Sequence, residues 1–122
     1  MNELPLPEGV RSLIETALVS MDHVEVLFRV SRGDGVTAEW LAQDAHIEPT
    51  VLAKVLRDLE HSRLVAREGT SYRVSQNPEQ RATVEEFAAT YNARPVTVIR
   101  AVYARPSPLS SFAEAFRLRR ED

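Results

Sequence analysis

The stretch of residues 41–65, LAQDAHIEPTVLAKVLRDLEHSRLV, constrains the fold of this chain more than any other feature. Its apolar residues recur at helical spacing on both sides of a short polar turn at His46. Pro49 suits the first turn of a helix, and Glu48 before it is a weaker candidate for the cap. The pattern therefore predicts two short amphipathic helices joined by a tight turn, with the second helix over about residues 49–62.

A small β-hairpin is predicted directly after the second helix. The segments RLVARE and SYRVS have the composition of strands, and they flank the turn EGTS, in which Gly69 can take a positive φ. At the other end, Thr37 is a candidate N-cap for the first helix of the pair, which runs to about Ala45. The fold class predicted for the chain is therefore mainly α with a small β-hairpin.

Further helices are predicted on both sides of this unit. Before it, an apolar stripe indicates a helix over about residues 8–21. The capping-box pattern of Asp22 and Glu25 indicates the start of a second helix, and a single continuous helix is the alternative. After it, proline residues divide residues 76–122 into three helical segments. We expect a single domain over residues 1–122, with an N-terminal helix (8–21), a core (22–75) and a C-terminal helical extension (76–122).

The flanking helices carry more apolar faces than a domain of this size needs for its own core. We therefore expect a homodimer held by the N-terminal stripe and the C-terminal helices. The residues that predict this surface are Val10, Leu13, Ile14, Leu18, Phe112 and Phe116.

Composition and spacing give no sign of catalytic or metal chemistry. The chain has no cysteine, and His23, His46 and His61 lack the spacing of a zinc site, so we expect them on helix surfaces or in turns. No apolar run approaches the roughly 20 residues that a membrane-spanning helix needs. The N-terminus does not resemble a secretion signal. We expect a cytoplasmic protein that is not an enzyme, without cofactor, metal or membrane partner.

Charge is distributed unevenly along the chain. The formal net charge is −3. Residues 1–93 carry nine bases and fifteen acids, a net of −6, while residues 94–122 carry six arginines and three acids, a net of +3. Any attraction for a polyanion is therefore local rather than a property of the whole molecule.

Residues 36–75, VTAEWLAQDAHIEPTVLAKVLRDLEHSRLVAREGTSYRVS, resemble a winged helix-turn-helix domain. The apolar positions that carry the resemblance include Leu41, Ile47, Leu52 and Leu64, followed by a strand, a glycine turn and a strand. The layout of the flanking helices resembles that of MarR-type regulators, in which such helices form a dimer. The resemblance implies a small bacterial transcriptional regulator that binds double-stranded DNA as a homodimer.

The same resemblance implies which residues contact DNA. The helix at 49–62 would enter the major groove, and a wing at 66–73 would lie beside the backbone. The DNA-binding residues implied are Thr37, Gln43, Thr50, Val51, Lys54, Arg57, Arg67 and Arg73. Three positions depart from the family pattern: His46 stands where glycine is usual, Glu48 opens the recognition helix, and Trp40 replaces a common solvent-facing glutamate.

A module that keeps this fold but binds a protein partner is the alternative hypothesis. The residues implied for a partner are Trp40, Phe112, Phe116, Arg117, Arg119 and Arg120, together with Val51. Trp40 is either packed against the N-terminal helices or an exposed interface anchor. A DNA reader predicts an unbroken basic strip through Lys54, Arg57, Arg67 and Arg73, whereas an interaction module predicts acids within it. A third hypothesis is a sensor whose helices enclose a small-molecule pocket.

Overall fold

The computed structural model describes residues 5–105, which form six α-helices and three short β-strands. In chain order they are α1 (Glu8–Thr16), α2 (Met21–Arg32), β1 (Val36–Thr37), α3 (Ala38–Ala45), α4 (Pro49–His61), β2 (Val65–Glu68), β3 (Ser71–Val74), α5 (Pro78–Ala93) and α6 (Pro95–Ala104). The expected mainly α-helical fold with flanking helices is confirmed. Phe112, Phe116, Arg117, Arg119 and Arg120 lie outside the described residues.

The predicted hairpin is one part of a three-stranded antiparallel sheet in the order β1-β3-β2. β2 and β3 pair around Gly69, which has a φ of 64° as the turn requires. β1 adds a third strand, because Val36 pairs with Tyr72 and Thr37 with Ser71. The sequence does not predict β1, because two residues are too few to show the alternation of apolar and polar side chains that identifies a strand.

The apolar stripe of α1 is buried inside the chain's own core. Val10, Ile14 and Leu18 are almost fully buried, because α1 packs against α5 and α6. Phe87 of α5 lies in the same core. The expectation that the stripe of Val10, Leu13, Ile14 and Leu18 is free to hold a dimer is therefore wrong, since these side chains already have partners within one chain.

Two non-glycine residues adopt the left-handed backbone conformation, one at the end of each helix of the central pair. His46 follows α3 with a φ of 56°, and Arg63 follows α4 with a φ of 63°. The next amide closes the last helical turn in each case: Ile47 donates to the Ala42 carbonyl and Leu64 to the Leu59 carbonyl, both at 3.0 Å. Glycine is common at such positions because its lack of Cβ removes the steric penalty.

We expect His46→Gly and Arg63→Gly each to raise the free energy of unfolding by about 0.5–1 kcal/mol. The left-handed conformation costs a residue with a Cβ roughly 1–2 kcal/mol, and glycine avoids this cost. The greater flexibility of glycine in the unfolded chain offsets part of the gain. Urea denaturation measures the change. Ala53→Gly, on the exposed face of α4, is the control and should lower stability by about 1 kcal/mol. Destabilisation by both left-handed replacements would contradict this account.

His23 is buried and links α2 to α4, which corrects the expectation of a surface histidine. Its side chain is only 5% exposed. Its Nδ1 lies 2.7 Å from the hydroxyl of Ser20, and its Nε2 lies 2.9 Å from a carboxylate oxygen of Asp58. Ser20 also caps α2 by accepting from the His23 amide, so the cap is Ser20 and not Asp22. The hydroxyl, imidazole and carboxylate thus join two helices of the domain.

Candidate nucleic-acid interface

The outward face of α4 carries the side chains predicted to face DNA. The helix buries one side through Leu52, Val55, Leu56 and Leu59, which turns the opposite side to solvent. That exposed side carries Thr50, Val51, Ala53, Lys54 and Arg57. Among residues 5–105, neither Lys54 nor Arg57 forms an ion pair, so both charges are available to an anion. The structure therefore brings these five predicted residues together on one surface.

The start of α4 explains the acid that opens it. The Glu48 carboxylate accepts a hydrogen bond from the Val51 amide at 3.3 Å, and Pro49 occupies the first helical position. A carboxylate at this end is stabilised because the helix dipole places partial positive charge on the first amides. Glu48 is therefore the cap of α4, and its negative charge is offset in part by the helix it begins.

In the wing, the two predicted arginines differ in their surroundings. Arg67 is exposed, and its Nε donates to the Gly69 carbonyl at 3.0 Å, which tethers the side chain to the turn. Arg73 is half-buried between two acids: its Nε lies 3.1 Å from Glu68 and an Nη lies 3.7 Å from Asp34. Acids therefore interrupt the basic strip at Arg73, whereas Lys54, Arg57 and Arg67 remain unpaired with any acid in the described chain.

α3 presents the remaining predicted DNA-binding residues. The Thr37 hydroxyl accepts from the Trp40 amide at 3.1 Å and so caps α3, as the sequence predicted. Gln43 is exposed on the same helix. DNA contact by Thr37 and Gln43 stays a prediction. The Thr37 hydroxyl already accepts a hydrogen bond within the cap of α3, and exposure is the observation that supports a role for Gln43.

Arg63 is an exposed base that the sequence did not identify as a site residue, and it lies beside Glu60, Ser75 and Asn77 rather than among the predicted DNA-facing residues of α4. It is exposed, it stands between α4 and β2, and it has no ion-pair partner among the described residues. Its position directly before the apolar pair Leu64-Val65 was visible in the sequence. Its orientation depends on the left-handed backbone, which helical periodicity does not reveal.

A groove of about 600 Å³ opens beside α3, which we call the α2–α3 groove. Its walls are formed by Glu25, Phe28, Arg29, Arg32, Gly33, Val36, Trp40, Asp44, Tyr91, Asn92 and Pro95. Trp40 is partly packed and partly exposed. Its side chain lines this groove beside α2, as expected for packing against the N-terminal helices, and 45% of the residue is exposed, as expected for an interface anchor. Arg32 lies over the ring of Phe28, with its guanidinium carbon 5.3 Å from the ring centre.

A polar network forms one wall of the groove. Arg29 of α2 bonds to Glu25 on its own helix and to Asp44 on α3, and the Tyr91 hydroxyl of α5 donates to the other oxygen of Glu25. Burial alone would lower the pKa of Arg29, but hydrogen bonds to Glu25 and Asp44 and their charges raise it overall. Burial, together with the hydrogen bond to Glu25 and the charge of Glu25, raises the pKa of Tyr91 from 10.0 to about 12.

We expect one tyrosine of the protein to ionise near pH 12, and this signal to disappear in Tyr91→Phe. Because the folded-state pKa lies above the unfolded value of 10.0, the neutral phenol stabilises the fold below pH 10. That contribution is lost as the pH rises from 10 to about 12. Ultraviolet absorbance of tyrosinate in wild type and variant measures it. Identical titration curves for the two proteins would contradict the assignment.

No group of three or more acids, histidines or cysteines in residues 5–105 is arranged to hold a metal ion. None of the helices in this part of the chain is both long enough and apolar enough to cross a membrane.

Comparison with models of known protein families finds no match, and comparison with curated protein sequences finds none either. Comparison with solved structures does find a similar fold. The chain is similar to the crystal structure of a MarR family protein of Mycobacterium tuberculosis, with a TM-score of 0.52 and 21% sequence identity. The match covers 93% of this chain and 86% of that one. Together with the helix pair and the three-stranded sheet, this similarity shows that the chain has the winged helix-turn-helix fold of that MarR family protein.

Proposed function

We propose that this protein is a small transcriptional regulator that binds double-stranded DNA with α4 in the major groove. The observation that carries the proposal is the pair Lys54 and Arg57, exposed on the outer face of α4 without a carboxylate partner in the described chain. Arg67 extends the same basic character to the wing, where an arginine can neutralise phosphate. In line with the similarity to a MarR family protein, we propose that it acts in the cytoplasm of a bacterial cell.

Sequence discrimination by this surface should be modest. Thr50, Val51 and Ala53 can contact a thymine methyl group or a sugar, but they offer few hydrogen bonds to bases. Lys54 and Arg57 are the residues able to make strong contacts to guanine. Arg73 contributes less than expected from the sequence, because Glu68 and Asp34 already compensate its charge.

Amide NMR spectra recorded during titration with a short random-sequence duplex test the proposed surface. The largest shifts are expected at residues 50–57 and at the wing, residues 66–73. Residues 95–104 of α6 serve as the internal control, because the proposal leaves that helix away from the DNA. Shifts confined to α6, with none at α4, would overturn the assignment of the recognition helix.

We also propose that the protein is a homodimer. Because the stripe of α1 is used within the chain, we assign the dimer surface to α6, which carries the two most exposed large apolar side chains of the described part. Val96 is 56% exposed there and Tyr103 is 76% exposed. Phe112 and Phe116 follow α6 in the sequence and remain candidates for the same surface. Sedimentation at micromolar concentration should give twice the mass of the chain, and a monomer would contradict the proposal.

A protein-interaction module remains the second candidate. It is favoured by the acids Glu68 and Asp34, which interrupt the basic strip at Arg73, and by the exposure of two apolar residues at the helix pair. Trp40 is 45% exposed and Val51 is 42% exposed, which suits anchors for an apolar partner surface. Failure of the duplex to shift any residue of α4, even at low salt, would favour this module over a DNA-binding regulator.

A further inference from the structure

Arg29 of α2 holds the end of α3 through two separate contacts. Its Nε donates to the Asp44 carboxylate at 2.8 Å, and one Nη donates to the Asp44 backbone carbonyl at 3.4 Å. The other Nη donates to the Glu25 carboxylate at 2.7 Å and to the Glu25 carbonyl at 3.1 Å. One guanidinium therefore ties the last turn of α3 to the middle of α2.

The far end of this network is anchored in the core. The Tyr91 hydroxyl of α5 donates to Glu25, and the Tyr91 ring stacks on Phe87 with centroids 6.0 Å apart. The Tyr91 and Phe28 rings meet edge to face, with centroids 5.1 Å apart. Phe87 is fully buried. Arg29 itself is only 20% exposed in its side chain. Of its two carboxylate partners, Glu25 is 33% exposed and Asp44 is 49% exposed, so the contact with Glu25 is better shielded from water than the contact with Asp44.

Asp44 lies next to the turn that joins α3 to α4. It is the second-last residue of α3, two positions before the left-handed His46 and four before Glu48, the cap of α4. α3 and α4 pack directly on one another. A shift of the last turn of α3 therefore moves the turn and the start of α4, which carries the proposed DNA contacts.

We propose that Arg29 is a positioning residue for the recognition helix: by bridging Glu25 and Asp44 it sets where α3 ends and hence where α4 begins. The expected effect of Arg29 on DNA binding rests on the proposed function. Its role in placing the end of α3 does not. A bridge between two carboxylates and two carbonyls requires the planar fork of arginine. Lysine keeps the charge but offers a single ammonium on a flexible stem.

Arg29→Lys is therefore the central variant, because it leaves the net charge unchanged. It is expected to weaken binding of a short duplex about tenfold, within the range of ordinary coupling between sites. Arg32→Lys is the matched control, since Arg32 lies on the same helix and packs on Phe28 without an acid partner in the described chain. The control should bind as the wild type does. Equal binding by wild type and Arg29→Lys would overturn the proposal.

Asp44→Asn separates positioning from simple electrostatics by the sign of its effect. If Asp44 were merely a surface acid near DNA, removing its charge would strengthen binding, because a repulsion with phosphate is lost. If Arg29 positions α3 through Asp44, the same change weakens binding. Tighter binding by Asp44→Asn would therefore contradict the positioning role, whatever the result for Arg29→Lys.

Hydrogen exchange of two backbone amides tests the same inference without DNA. The Ile47 amide closes the end of α3 and the Leu64 amide closes the end of α4, through matched 3.0 Å bonds. In Arg29→Lys, exchange of the Ile47 amide should accelerate about tenfold relative to that of Leu64, as expected for local opening of one helix end. A parallel acceleration of both amides would indicate general destabilisation and overturn the positioning role.

The two measurements distinguish the failure of this inference from the failure of the proposed function. A wild type that binds no duplex rejects DNA binding, and the exchange ratio then decides the role of Arg29 alone. A wild type that binds duplex, combined with an unchanged exchange ratio in Arg29→Lys, rejects the positioning role and leaves DNA binding standing.

Discussion

Replacing Lys54 and Arg57 together by alanine is expected to abolish the preference for a selected DNA site over random duplex. Each residue is able to discriminate a base by about 1–3 kcal/mol through contacts to guanine, and the rest of the α4 surface offers little hydrogen bonding. Both side chains are exposed, so the fold should remain intact. Competition between selected and random duplex measures the preference, and circular dichroism checks the helices.

The matched control is the double variant Arg11→Ala and Arg100→Ala. It removes two exposed bases from α1 and α6, and hence the same amount of charge, at a distance from the proposed surface. It should keep the sequence preference of the wild type. If the Lys54 and Arg57 variant still selected its site, the assignment of α4 would be wrong. The basic segment with Arg117, Arg119 and Arg120 would then become the better candidate.

Phe87→Ala should have the largest effect on stability, lowering the free energy of unfolding by about 3–5 kcal/mol. Phe87 is fully buried on α5, where α1 and α2 both pack, and it supports the Tyr91 ring of the Arg29 network. Its removal leaves a cavity that rigid helices fill only in part. Urea denaturation gives the value. Phe87→Leu, which keeps most of the volume, is the control and should cost less than about 1.5 kcal/mol.

A loss below 1 kcal/mol for Phe87→Ala would mean that α5 does not connect α1 and α2 as the structure has it. The variant also has a local consequence, because Tyr91 loses the ring on which it stacks. The shift in the Tyr91 titration should therefore shrink together with the stability.

The helix pair was predictable from the sequence because its determinants are local. The spacing of Leu52, Val55 and Leu56 gives the buried face of α4, and Thr37 and Glu48 cap the two helices where the sequence placed caps. His46 takes the left-handed turn for which the family pattern has glycine. Residues within one helical turn of each other decide all of these features.

The features that the sequence did not reveal depend on partners distant along the chain. The Arg73 side chain meets Asp34 across the sheet, and His23 meets Asp58 from another helix. Neither pairing has a local signal in the sequence. α1 likewise shows the same stripe whether it packs on its own α5 and α6 or on a second chain. Periodicity identifies an apolar face but not the surface that covers it.

The most direct test of the central claim, that α4 and the wing form a DNA-binding surface, is the affinity for random-sequence duplex as a function of salt. Neutralised phosphates release counterions, so the logarithm of the affinity should fall linearly with the logarithm of salt concentration, by about 0.9 for each phosphate contacted. Arg67→Ala should reduce this slope by about 1, because it removes one proposed phosphate contact. Absence of binding at low salt, or binding that does not depend on salt, would contradict the claim.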